Sequence, residues 1–347
     1  MAAPRAIAAL DEAGVRAPQT RAGALAMWAW AEAIAGDPAR AEQLLDEVHT
    51  TIGRAVTDAT LVHSVGHARA LALVRQGRFA ESYAPQIAAG EAALRVGRPD
   101  LACGCWLNAA CAAACAGEPE RSLEFIDRGW AAISGEHIAW FEVQMLAARA
   151  HVMLRLGRLD EARRAADQEW AAAERIDSPE LIATAEHDRG MVALATGRYG
   201  RAAELLERAL EHDAPVSRPL AQLARAEALL RAGRFQQARA AVRATALEPL
   251  HPGDFPEALV PRLTRVQGLI AAACGDRELA GRRLQEAAAG WRRLVDRSAD
   301  GERYASAFAD FARPPVLGLV EPARELAVVE AELAEFAAGT ELRAPPA

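Results

Sequence analysis

The feature that most constrains this chain is a glycine-centred signature that returns at a nearly fixed interval. Gly36, Gly77, Gly117, Gly157, Gly197, Gly233 and Gly275 are separated by 41, 40, 40, 40, 36 and 42 residues. Seven positions before each glycine stand Ala29, Ala70, Ala110, Ala150, Gly190, Ala226 and Gly268; five positions after stand Ala41, Ser82, Ser122, Ala162, Ala202, Ala238 and Ala280. Both positions are small in every copy. A helix that stops at a glycine and is followed at once by another makes an antiparallel hairpin with a short loop. Small side chains at matched depth on its two arms let the axes approach and interdigitate. Such a period belongs to arrays of helical hairpins, in which each unit buries its apolar face only against its neighbours.

Composition fits an array better than one globular core. The chain has 347 residues, more than one compact core usually holds. Its hydrophobic fraction is 52% but aromatics make up 5%, so alanine supplies much of the apolar content. Alanine favours helices and close packing and argues against a β-rich interior. Lysine is absent, and all 40 basic residues are arginine. That bias suggests a GC-rich bacterial genome, and it excludes a phosphate-loop lysine, a Schiff base and a lysine general base. A formal charge of −7 disfavours non-specific nucleic-acid binding, which needs a basic surface. Met1 to Leu10 lacks the pattern of a signal peptide, and no apolar run is long enough to span a membrane. A cytoplasmic protein is expected.

At the turns the chain resembles the tetratricopeptide repeat (TPR) family, whose units carry Gly-x-aromatic-x-x-Ala between helix A and helix B. Gly197, Tyr199 and Ala202, then Gly233, Phe235 and Ala238, match best, and Gly157, Leu159 and Ala162 follow with leucine in the aromatic place. The resemblance covers roughly residues 20–298. The helix A aromatic survives only as Trp106, and the helix A position that is normally leucine carries Arg69, Arg149, Arg189 and Arg225. With the longer period, the repeats are most similar to the MalT-like kind found in the sensor half of LuxR-type bacterial regulators. The resemblance implies an all-α fold: a right-handed α-solenoid of about seven antiparallel hairpins with a C-terminal capping helix. The expected organisation is a lead-in over 1–18, the array over 19–298, capping helices over 299–338 and a disordered tail over 339–347. Tyr304, Phe308 and Phe311 are spaced for an amphipathic helix, and the prolines around Pro252 are expected to interrupt the array before its seventh hairpin.

The resemblance also assigns a concave face to helix A. About 100° per residue places the positions 13, 10, 9, 6 and 2 before the turn glycine together. The candidate ligand-binding residues on that face are Trp30, His67, Arg75, Asn108, Cys111, Gln144, His151, Arg155, His187, Asp188, Met191, Glu227 and Arg231, with Met27, Ser64, Leu71, Thr184, Leu223, Arg262 and Arg265 beside them. One interpretation is a groove for an anionic or amphipathic small molecule or peptide, with arginines forking its carboxylates or phosphates. The other is a solvated surface whose charges pair between neighbouring helices.

Other chemistry is disfavoured. His63 and His67 share a helix face, as do Cys111 and Cys115 on the next helix A, but the four stand at different depths and are not expected to hold a metal. The five cysteines, Cys103, Cys105, Cys111, Cys115 and Cys274, are expected to be small buried residues. His187 and Asp188 are adjacent in sequence and point about 100° apart, so a catalytic dyad is not expected. The recurrent arginines should contact carboxylates or carbonyls inside or between hairpins. No cofactor or metal motif is present. The expected function is a non-enzymatic sensor or adaptor that binds a small molecule, a peptide or a protein segment; the rivals are a pure protein-interaction scaffold and a metal-free enzyme using the groove histidines.

Overall fold

The computed structural model describes residues 2–12, 17–53, 58–134, 139–212, 218–244, 259–299 and 322–338. The helix expected at Tyr304 to Phe311, the loop around Pro252 and the tail over 339–347 lie outside them. Among the described residues there are sixteen α-helices and no strand. The fold is all-α, of the helical-repeat (solenoid) class, and its helices pack in consecutive pairs. Six pairs are α2 (Pro18–Ala35) with α3 (Pro38–Ile52), α4 (Ala59–Arg75) with α5 (Tyr83–Arg95), α6 (Pro99–Cys115) with α7 (Pro119–Ile133), α10 (Pro179–Ala195) with α11 (Tyr199–Glu211), α12 (Arg218–Arg231) with α13 (Phe235–Ala244), and α14 (Leu259–Ala273) with α15 (Arg277–Ala299), and α8 (Ala139–Arg155) and α9 (Leu159–Ile176) follow the third of them in sequence. They are flanked by α1 (Ala2–Glu12) and α16 (Pro322–Ala337). Two compact units divide the chain, with the boundary between Ala148 and Arg149 inside α8.

The turn glycines end helix A by left-handed termination. Gly157 has φ of 69°, its N–H reaches Leu154 O at 3.1 Å and the next N–H, of Arg158, reaches Met153 O at 2.9 Å. This closes the carbonyls that a helix end leaves open, in a conformation that costs residues with a Cβ about 1–2 kcal/mol. Gly77, Gly117, Gly197, Gly233 and Gly275 do the same. Gly36 does not: its φ is −113°, and the following Asp37 side chain instead caps α3 by accepting from Ala39 N at 2.8 Å. At the fifth hairpin Ser178 caps α10 through Leu181 N, with Pro179 in the first turn as its sequence suggests.

The small positions meet at the crossings. In the first unit Ser122, five residues after its glycine, donates from Oγ to the carbonyl of Ala110, seven before it, at 2.7 Å. Both residues are buried. In the second unit a Cβ added to Gly190 would lie 2.7 Å from Leu206 Cγ, and Leu206 is itself fully buried in the core. The recurrent arginines have the partners expected of them. Arg69 meets Asp46 at 3.2 Å in the first unit; in the second, Arg189 meets Asp167 at 3.0 Å and Arg225 meets Glu207. Each acid stands ten residues after one turn glycine and each arginine eight before the next, so one ion pair ties helix B of a hairpin to helix A of its successor.

Three of the five cysteines are buried as expected, whereas Cys115 is half-buried and Cys274 is exposed at the end of helix A. Trp170 is half-buried, with the Arg189 guanidinium stacked on its ring at 4.5 Å.

The tight crossing at Gly190 has a measurable consequence. Gly190→Val should lower unfolding free energy by about 2–3 kcal/mol through overpacking against Leu206. Gly200→Ala, with nothing within 4 Å of the added methyl, should be neutral or stabilising by up to about 1 kcal/mol from helix propensity. Urea denaturation of the two variants separates packing from propensity.

Candidate functional site

In the first unit the candidate face begins with exposed apolar residues and becomes buried and polar. Met27 and Trp30 are exposed on α2, while Arg75 on α4 donates to the carbonyls of Ile34 and, at 3.5 Å, Gly36. His63 and His67 stack with ring centroids 5.6 Å apart, and Cys105 Sγ lies 3.7 Å from His63 Nδ1 and 3.8 Å from His67 Nδ1. The thiol that reaches the two imidazoles therefore belongs to Cys105, not to Cys111 or Cys115. His63 Nδ1 also faces the Ala89 carbonyl at 3.2 Å, and a nitrogen so placed acts as a donor rather than a metal ligand. Burial, reinforced by the His63 charge and opposed by a Gln86 contact, lowers the His67 pKa to about 4. Burial pushes the Cys105 thiol up to about 12. The cluster is thus neutral near pH 7, and no group of three or more His, Cys, Asp or Glu among the described residues is arranged to hold a metal. Asn108, Cys111 and Gln144 are buried, and neither polar atom of the Gln144 amide has a hydrogen-bond partner.

In the second unit the same face is a ladder of buried polar contacts between successive A helices. Asp188 on α10 uses both oxygens: Oδ2 accepts from His151 Nε2 of α8 at 2.9 Å and Oδ1 from His187 Nδ1 at 2.9 Å. Three helices meet here: Glu169 of α9 lies beside Asp188, completely buried and with neither oxygen in a regular hydrogen bond. Burial raises the Asp188 carboxyl, but the charges and hydrogen bonds of His151 and His187 outweigh it and leave its pKa below the ordinary value. Glu169 goes the other way. Burial, and then the Asp188 charge beside it, hold its pKa well above the ordinary value, so it stays protonated.

Farther along, Glu227 on α12 meets Arg231 at 2.6 Å and Arg265 of α14 at 3.9 Å. Arg265 gives its fork to Glu332 of α16, with Nε 2.8 Å from Oε2. Val329 of α16 packs on Trp291, Ala287 and Ala288 of α15, so the C-terminal helix is docked by an apolar stripe and a buried ion pair together.

Two expectations change. His187 and Asp188 do bond although their Cβ directions diverge, because Nδ1 lies close to the backbone and a carboxylate oxygen can turn back to it. The candidate face is also less open than expected. Asn108, Cys111, Gln144, His151, His187, Asp188 and Glu227 are all under 9% exposed, whereas Trp30 is exposed and His67, Arg75, Arg155, Met191 and Arg231 are half-buried. The charges do pair between neighbouring helices, in a buried layer rather than a solvated one. Glu169 and Glu332 were not among the candidates, since one lies on helix B and the other beyond the repeats. Glu169 stands twelve residues after its turn glycine, a position that is Val48, Ala89, Gly129, Ala209, Thr245 and Ala287 elsewhere. That departure was its only signal.

Comparison with known proteins follows the same lines. Two tetratricopeptide repeat family models match, over residues 187–255 and 144–168. No curated protein matches significantly. Among solved structures, a Rap protein complexed with competence and sporulation factor is similar with a TM-score of 0.56 at 14% identity, over 88% of this chain and 84% of that one. A tetratricopeptide repeat protein from Parabacteroides merdae is similar with a TM-score of 0.55 at 15% identity, over 89% and 98%. NprR in complex with its cognate peptide NprX is similar with a TM-score of 0.51 at 15% identity, over 90% and 81%. At these identities the similarity establishes the fold, that of TPR-like helical arrays.

The buried layer carries two tests. Glu169 keeps its proton when folded and releases it near pH 4.5 when unfolded, so above that pH the wild-type chain loses stability as pH rises toward the folded pKa. Glu169→Gln removes that slope, and its melting temperature should exceed wild type by a margin that widens as pH rises above about 5 toward the folded pKa, at up to about 1.4 kcal/mol per unit. Arg265→Met leaves Glu332 buried without its fork and should cost about 3–5 kcal/mol in urea melts. Arg265→Met combined with Glu332→Leu should recover most of that loss.

Proposed function

We propose that this chain is a non-enzymatic sensor or adaptor that captures a peptide or an extended segment of a partner protein on its helix A face. The observation that carries this reading is the fold itself: two of the similar solved structures are complexes with signalling factors or peptides. The chemistry of the face agrees. A peptide offers backbone amides, carbonyls and a terminal carboxylate, and a row of half-buried side chains such as Arg155, Met191, Arg231 and Arg262 supplies forks and an adaptable apolar contact. The buried layer beneath holds those helices in register, as a binding surface built on rigid elements requires. Within this reading, the long repeat and its recurrent arginine fit the sensor part of MalT-like, LuxR-type bacterial regulators, working in the cytoplasm.

Ligand-induced stabilisation tests it. The full chain is melted with pools of synthetic peptides of five to ten residues, where binding at a hundred times Kd adds about 2.7 kcal/mol. A subset should raise the melting temperature by several degrees, and Arg231→Gln should weaken that shift. If no pool shifts the transition and the chain instead is retained only by a folded protein partner, it is a scaffold and peptide sensing is refuted.

A further inference from the structure

The second unit carries a cavity of about 300 Å³ away from the helix A ladder, at the junction of α9 with α10 and α11. Its charged lining is Arg163, Arg164, Arg189, Arg198, Arg201 and Asp167. Gathering five guanidinium groups in one depression is unusual for a chain whose formal charge is −7.

The repeat supplies its own comparison. In the first unit the equivalent ion pair, Arg69–Asp46, borders a different hollow, lined by Asp46, His49, Thr50, Gly53 and Arg69 and by none of the positions that match Arg163, Arg164, Arg198 or Arg201. In that unit the positions six and seven after the first glycine and one and four after the second are Glu42, Gln43, Arg78 and Glu81. Arg78 is held between its two acids, 3.3 Å from Glu42 and 2.6 Å from Glu81. At the α9–α11 junction the same four positions are Arg163, Arg164, Arg198 and Arg201. The ion pair recurs in both places, and at the α9–α11 junction all four of the positions beside it are cationic.

Their existing partners are loose or shared. Arg189 meets Asp167 at 3.0 Å and Glu186 at 3.8 Å, Arg163 meets Asp160 at 3.6 Å, Arg201 meets Glu204 at 3.2 Å, and Arg198 donates to the Thr196 hydroxyl at 3.2 Å. Arg164 lies in the field of Glu161. The pairs of Arg163 and Arg201 are exposed, and pairs of that kind contribute about 0–1 kcal/mol and yield readily to a more highly charged acceptor. A carboxylate offers two oxygens, whereas a diphosphate offers several and up to four charges, so it satisfies more of the five forks at once. The volume suits a small ion rather than a stretch of peptide.

We propose that this depression is a second binding site, specific for a small soluble phosphoryl anion of the diphosphate type and separate from the peptide face. The test is isothermal titration of the full chain with inorganic diphosphate, against sulfate at matched ionic strength and against a phosphoserine peptide. Saturable diphosphate binding is expected, weakened at least about tenfold in Arg164→Gln/Arg198→Gln and unchanged in Arg69→Gln, the first-unit repeat equivalent of Arg189. Arg163→Gln/Arg201→Gln should give the same loss, and unchanged far-ultraviolet circular dichroism establishes that both variants fold. No saturable binding, equal binding in the variants, or sulfate binding as tightly, which means an adventitious ion only, would overturn the site. Preference for the phosphoserine peptide over diphosphate would overturn its assignment to a free anion.

Discussion

Two helices come close only where at least one of them puts no large side chain at the crossing, and this steric condition underlies the rest of the molecule. Ser122 bonding to the Ala110 carbonyl and Gly190 lying against Leu206 are the same requirement met by different residues. Once the crossing is fixed, the turn glycine must follow at a set distance, because helix A has to end where helix B can fold back. The left-handed turn at Gly157 then follows from backbone sterics. The forty-residue period is the spacing at which close crossing, helix end and next hairpin are mutually consistent.

That is why the fold was legible and the site only partly so. Turn glycines and small crossings are local and recur, so seven copies reinforce one another in the sequence. Even the arginines eight residues before the glycine declared themselves by recurrence, and their acids ten residues after the previous glycine, Asp46, Asp167 and Glu207, complete one inter-hairpin register. The polar contacts of the helix A face have no such recurrence. Asp188 bonds a residue six before its glycine, while Arg265 bonds Glu332 in a helix that has no turn glycine. Angular counting placed these side chains on one face but could not say how far the neighbouring helix would cover them. It chose Cys111 over Cys105 for the same reason: six positions shift a side chain along the axis by about 9 Å, enough to exchange one hydrogen-bond partner for another.

Burying this layer has a physical logic beyond stability. An array of alanine-rich hairpins presents many nearly equivalent ways for one helix to slide along the next, since small side chains make shallow ridges. A carboxylate between two imidazoles, or a fork closed on Glu332, is satisfied in one register and left unpaired in the others. Buried ion pairs add little net free energy over apolar packing, yet removing one partner is costly, so their effect falls on the choice between alternatives. Glu169 fits this view: protonated beside Asp188, it adds no second charge to a junction that already holds the Asp188 carboxylate.

Function in a repeat fold is then sought where a position stops obeying the repeat. Positions that agree across copies, such as Ala162 and Ala202, serve the crossings, and any copy could exchange them with another. The positions that differ are free of that duty. Glu169 replaces a small or apolar residue and creates a buried acid at the His151–Asp188 junction. Arg163, Arg164 and Arg201 stand where the first unit has Glu42, Gln43 and Glu81 and, with Arg198 in the place of Arg78, create a cationic hollow around the Arg189–Asp167 pair. Both departures fall in the second unit and involve the α9–α10 contact, one at its buried side and the other at its solvent side. Charge arriving in the hollow acts on Arg189, whose carboxylate partner Asp167 stands two residues from Glu169 on α9. An anion outside and the buried acid inside therefore bear on the same short stretch of one helix.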